Sequence, residues 1–217
     1  MTQPIQPGDT LRSTTLQALK RPTAAMALAV MVFLTSGCTA LVAQNPSSAF
    51  KPVNAVADGG DDRVMLKGYD VVAYFTQNRH VLGTPEFKSV YEGTSFRFSN
   101  AQHKALFDAA PEKYLPQYGG YCANGAPYSI LLGGGASTYK IVDGRLFMFS
   151  GPDSLKYWEM DEKRNLELGE KYWRDELNNT SSAFFHSWWR VLAAKVPHYK
   201  SGKELEAEWQ TRQTKKG

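Results

Sequence analysis

Two cysteines and four histidines carry most of the potential for metal or nucleophile chemistry in this 217-residue chain. Cys122 follows Gly119-Gly120-Tyr121, so backbone can come close to its sulfur. As a thiolate it would be a soft metal ligand or a nucleophile. The other cysteine, Cys38, lies in an N-terminal stretch expected to be lipidated or removed, so the exported domain holds no resolving cysteine. A peroxidase-type cycle at Cys122 would therefore need an external thiol to reduce the sulfenic acid. A site built from Cys122 and His103, completed by Tyr, Asp or water, is the metal arrangement to consider. The bland alternatives are a buried, apolar Cys122 and solvated side chains at His80 and His103. His186 and His198 read as ordinary polar residues, and Asp70 as a cap on turn N–H groups at a strand entrance.

Composition excludes much else. The chain is 42% apolar, 12% aromatic and 21% charged, which is ordinary for a globular domain. The formal charge of +4 falls to +2 once the first 43 residues are set aside, too small an excess to suggest a phosphate-reading surface. Two cysteines cannot form a disulfide scaffold or a four-ligand zinc site of the usual spacing. No phosphate loop, HExxH, CxxCH or recognisable Ser-His-Asp pattern is present, and Gly133-Gly134-Gly135 lacks dinucleotide-site spacing. Those three glycines instead suggest a flexible loop.

The N-terminus reads as an address. Residues 23–43 are uncharged and follow Lys20 and Arg21, with the most apolar part at 24–34. Thr35-Ser36-Gly37-Cys38 resembles a loose lipobox, which would make Cys38 the lipidated first residue of the mature protein. Cleavage after Ala40 or Ala43, or retention of the segment as an anchor, remain open; 21 residues at ~1.5 Å each match the ~30 Å hydrocarbon layer. Each alternative places the body outside the cytoplasm.

Four regions are expected: an address at 1–43, a Pro-, Ser-, Gly- and Asp-rich linker at 44–63, a domain at 64–178, and a helical extension at 179–217. Within the domain, 71–75 reads as a buried strand. Residues 88–98 read as a hairpin around Glu92-Gly93, and Ser99 as the N-cap of a short helix ending before Pro111. A second hairpin joins 139–142 to 146–149 through Asp143-Gly144, which suits a type I′ turn. From Asp153 the apolar spacing turns helical. The expected fold is α+β, a small antiparallel sheet with packed helices. Phe184, Phe185, Trp188 and Trp189 form an aromatic stripe that either packs on the domain or faces a partner or membrane. The last stretch, 195–217, reads as a solvated amphipathic tail.

Residues 66–173 resemble the YHS domain family, in its branch of exported YHS-domain (seleno)proteins. The motifs are Gly68-Tyr69-Asp70-Val71-Val72-Ala73-Tyr74-Phe75 and Tyr91-Glu92-Gly93-Thr94-Ser95-Phe96-Arg97-Phe98-Ser99. Phe107, Pro111-Glu112-Lys113-Tyr114, Pro116-Gln117-Tyr118-Gly119-Gly120-Tyr121-Cys122-Ala123 and Ile141-Val142-Asp143-Gly144-Arg145-Leu146-Phe147 follow. The resemblance implies a compact α+β unit and heavy-metal binding. Metal-type relatives carry two cysteines four apart, and Ser99 and His103 stand at those positions here, so a dithiolate site does not carry over. Asn124 to Tyr128 replaces a Trp-containing stretch. Selenocysteine in some exported relatives corresponds to Cys122, which points to a nucleophile, a redox couple or a soft ligand there.

The resulting expectation is an exported, membrane-anchored lipoprotein of the bacterial envelope, periplasmic, binding copper or another soft or borderline metal ion through Cys122 with help from His103. The alternatives are thiol redox chemistry at Cys122, and a non-catalytic module that docks a partner through Phe184, Phe185, Trp188 and Trp189.

Overall fold

The computed structural model describes residues 52–180 and 182–215, so the address segment and Cys38 lie outside the described residues. Chain order begins earlier than expected. Strand β1, Ala55–Asp58, pairs antiparallel with β2, Asp61–Met65, inside what reads as linker. Two features order this acidic stretch. Val53 and Ala55 are fully buried apolar anchors. Buried Arg97 bonds the Asp58 carboxylate and carbonyl and reaches Asp61, which also pairs with Lys88 at 2.8 Å.

Strands β3, Thr84–Tyr91, and β4, Thr94–Phe98, form the first expected hairpin, turning at Glu92 and Gly93. The sheet order is β1-β2-β4-β3. Because β2 and β4 run parallel, this sheet is mixed, not antiparallel as expected. Residues 66–83 carry the chain from β2 to the outer strand β3, and β4 then returns beside β2 in the same direction.

Between them, 71–75 is not a strand. Helix α1, Ala73–Thr76, forms because the Asp70 carboxylate accepts the N–H groups of Val72 at 2.9 Å and Ala73 at 3.3 Å. A run buried on all sides has no period to distinguish helix from strand, so the cap decides. Helix α2, Ala101–Ala109, is capped by Asn100, whose side chain accepts from His103 N–H at 2.8 Å, rather than by Ser99. A single turn α3, Pro111–Tyr114, follows.

The second hairpin, β5 at Gly135–Val142 and β6 at Arg145–Phe149, turns at Asp143 and Gly144, both with positive φ. Strand β6 divides the interior through its two-residue alternation. Leu146 and Met148 join Met65, Tyr74, Phe96 and Phe107 in one core; Phe147 and Phe149 join Tyr121, Trp158 and Leu177 in another. The Gly133-Gly134-Gly135 segment is packed rather than loose. A Cβ on Gly134 would stand 2.4 Å from the carbonyl oxygen of Gly120, and Asn54 donates to the Gly134 carbonyl at 3.0 Å.

The second core is covered by helices α4, Pro152–Glu159, and α5, Glu162–Asp175. Helix α6, Ala183–Leu192, and helix α7, Gly202–Thr214, complete the chain. The part expected as an appended extension is integrated, since Ala183 and Val196 are buried in that second core. The expected solvated tail is also partly fixed: α7 begins with a Ser201–Glu204 capping box, buries Leu205, and pairs Glu206 with Lys156 and Tyr157. The described residues are thus α+β, with a four-stranded mixed sheet, a two-stranded sheet and seven α-helices.

Candidate functional site

Cys122 sits where the chain crosses behind β6, bridged to Met148, with its N–H donating to Leu132 C=O at 2.8 Å. Its side chain is 1% exposed within the second core. The sulfur accepts the Ser150 N–H at 3.3 Å and donates towards Ser150 Oγ at 3.6 Å. Among the described residues, Ser150 is the sulfur's hydrogen-bond partner, and no Lys, Arg or His bonds it to stabilise a thiolate.

His103 occupies a different setting, joined to α1 rather than to Cys122. Its Nδ1 donates to Asp70 Oδ2 at 2.7 Å, and both side chains are buried. The same carboxylate accepts from Ser99 N–H at 2.8 Å and Ser99 Oγ at 2.7 Å. With the N–H groups of Val72 and Ala73, Asp70 thus receives five hydrogen bonds and is 0% exposed. On the far side of the ring, Nε2 lies 3.1 Å from Thr76 Oγ1 and 3.4 Å from Gln77 Nε2. Hydroxyl, imidazole and carboxylate therefore stand in the order of a nucleophile relay. The Thr76 hydroxyl donates its one proton to Val72 C=O at 3.1 Å rather than to the ring, so the contacts tie α1 to α2 and do not activate the hydroxyl. Sequence reasoning missed Thr76 and gave Asp70 a smaller role; the Tyr69-Asp70 step was the visible signal.

Cys122 and His103 share no hydrogen-bond partner, and the structure does not bring them into one site. Among the described residues, no group of three or more His, Cys, Asp or Glu could hold a metal ion. The remaining histidines have structural partners. His198 Nε2 donates to Pro127 C=O at 2.7 Å between the rings of Tyr128 and Tyr172, and His80 lies beside Tyr69.

The aromatic stripe of α6 is the unusual surface. Helix α6 docks through its polar side chains. Ser187 Oγ accepts from Leu131 N–H at 2.9 Å and donates to Leu131 C=O at 3.3 Å. His186 Nε2 lies 3.1 Å from Ser129 C=O, and Arg190 binds the Glu176 carboxylate and Ala194 C=O. Burial, and next the Arg190 charge, hold the His186 ring below its ordinary pKa. Burial works to raise Glu176, but hydrogen bonds from Ser129 and Arg190 leave it below the usual carboxylate range.

The apolar side chains point the other way. Phe184 is 40% exposed, Phe185 68%, Trp188 53%, Trp189 55% and Leu192 61%. Beside them, Ile130, Leu131 and Leu132 complete a shallow groove with Phe184, Trp188 and Leu192. A surface helix ordinarily buries its apolar face and exposes its polar one; α6 is inverted.

No family model, curated protein or solved structure matches this chain. Among the described residues, no helix is long and apolar enough to cross a membrane.

Proposed function

We propose that the chain is an exported, membrane-tethered docking module of YHS-like build, whose working surface is the outward aromatic face of α6. The observation that carries this reading is the inverted helix. Five large apolar side chains, from Phe184 to Leu192, face solvent while His186, Ser187 and Arg190 bind the domain. Contiguous aromatic exposure of that kind marks a surface that is covered when the protein works. The frame behind that face is set by Asp70, which caps α1, by the Asp143-Gly144 turn before β6, and by β6, which divides the two cores.

Copper binding receives less support from the donor set. At the positions of the relatives' cysteines stand Ser99 and His103, joined to Asp70, a group of two oxygens and one imidazole. Such a set does not suit a soft ion, and the one thiol nearby in sequence motif, Cys122, belongs to another contact network.

A photo-reactive phenylalanine analogue at position 185, expressed in a bacterium that exports the chain, tests the docking reading. Irradiation of intact cells should give adducts at position 185 and not at position 90, where Val90 is 65% exposed on β3. Equal labelling at both positions, or none at 185, would overturn it.

A further inference from the structure

We infer that the outward face of α6 is a membrane-interface anchor, seated on the phospholipid surface to which the N-terminal segment tethers the chain. This rests on the docking reading above and names its occupant. The make-up of the face is the first ground. Along ten residues, about 15 Å of helix, it presents two Phe and two Trp, rings that favour the boundary between headgroups and acyl chains.

The path of the chain is the second. The uncharged segment ends at residue 43, and described structure begins at residue 52. Asn54 donates to Gly134 C=O at 3.0 Å, and Gly134 is two residues beyond Leu132, which lines the apolar groove with Phe184 and Trp188. The first described residues thus pack on the segment that follows Leu132. Even with attachment at Cys38, the thirteen residues 39–51 span at most about 45 Å. A tether of that length holds the domain within reach of the bilayer surface.

Charge is the third ground. Residues 182–203 contain Arg190, Lys195, Lys200 and Lys203 and no Asp or Glu. Lys195 and Lys203 are exposed, while Arg190 pairs with Glu176 and Lys200 with Glu208. Cations flanking an aromatic face complement anionic headgroups, which a protein groove for a second copy of this basic segment would not.

The test uses the full chain, purified in detergent and reconstituted into phosphatidylcholine–phosphatidylglycerol vesicles brominated near the headgroup end of the acyl chains. Tryptophan emission of the wild type should be quenched. The quenching should be lost in Trp188→Ser/Trp189→Ser and reduced in Phe184→Ser/Phe185→Ser, which keeps every tryptophan. These side chains lie outside both cores, and far-ultraviolet dichroism with thermal unfolding verifies the fold of each variant. Wild-type quenching no greater than that of Trp188→Ser/Trp189→Ser would overturn the lipid assignment. If cell labelling at position 185 persists in that case, the docking reading stands with a protein or a second copy as occupant; if labelling is also absent, both fall.

Discussion

The hydroxyl of Ser187 makes two hydrogen bonds to one residue, accepting from Leu131 N–H at 2.9 Å and donating to Leu131 C=O at 3.3 Å. One side chain thereby stands in for a strand partner and fixes which face of α6 looks outward. Replacing it with Ala leaves a partly buried N–H and C=O without that partner, at a cost of about 1–3 kcal/mol. Ser187→Ala should speed amide hydrogen exchange throughout α6 while leaving β6 protected. Unchanged exchange in α6 would show that other contacts set its orientation.

Acid should loosen the same helix. Burial, and next the Arg190 charge, hold His186 below its ordinary pKa of about 6.5 in the folded chain, so the unfolded chain takes up its proton first as pH falls. Stability is then lost as pH drops below about 6.5 towards the folded value. Glu176 is also held below its ordinary value of about 4.5, so its contribution is present above that pH and is lost as pH falls through the lower folded value. Both act in one direction. Exchange of α6 amides, corrected for intrinsic rates, should quicken between pH 7 and pH 5 in the wild type (about the lower part of the His range). In His186→Gln that dependence should be reduced.

Asp70 is the most heavily bonded side chain of the first core's rim, holding α1, Ser99 and His103 together. Asp70→Ala strands a buried imidazole and several N–H donors. Denaturant titration should show a loss of about 3–5 kcal/mol. His103→Gln, which can still donate to the carboxylate, should cost clearly less. Equal losses would mean that the ring's packing, not its bond to Asp70, is what matters.

Cys122 should behave as an interior thiol. Alkylation of the folded chain should be slow and should accelerate on addition of denaturant, tracking global unfolding. Anaerobic loading with Cu(I) should leave equal, substoichiometric metal on the wild type, Cys122→Ala and His103→Ala. Near-stoichiometric retention abolished by Cys122→Ala would instead restore the copper reading.

Legibility differed by element for physical reasons. Both hairpin turns were visible because Glu92-Gly93 and Asp143-Gly144 sit at positive φ, a local demand that specific residue types announce. The helical character beyond Asp153 was visible in apolar spacing. The helix at 73–76 was hidden because Val71, Val72, Ala73 and Tyr74 are all buried, which erases any period, and its cap acts through a side chain two residues upstream. The strands at 55–65 were hidden because their acidic residues are ordered by Arg97, 36 and 39 residues away. The α6 stripe was visible as a stripe; its direction depended on Leu131, Ser129 and Glu176, which no local pattern connects to it. Likewise, Cys122 and His103 were plausible partners by type, and only the three-dimensional course of β6 and α1 separates them.

The most direct measurement of the central claim is oxidative footprinting of tryptophan in two settings, the intact envelope and the purified, membrane-free chain. Trp188 and Trp189 should be oxidised readily in the free chain, where they are 53% and 55% exposed, and protected in the envelope. Trp158, 0% exposed, should be protected in both. Equal oxidation of Trp188 and Trp189 in the two settings would contradict the claim that the outward face of α6 is covered when the protein is in place.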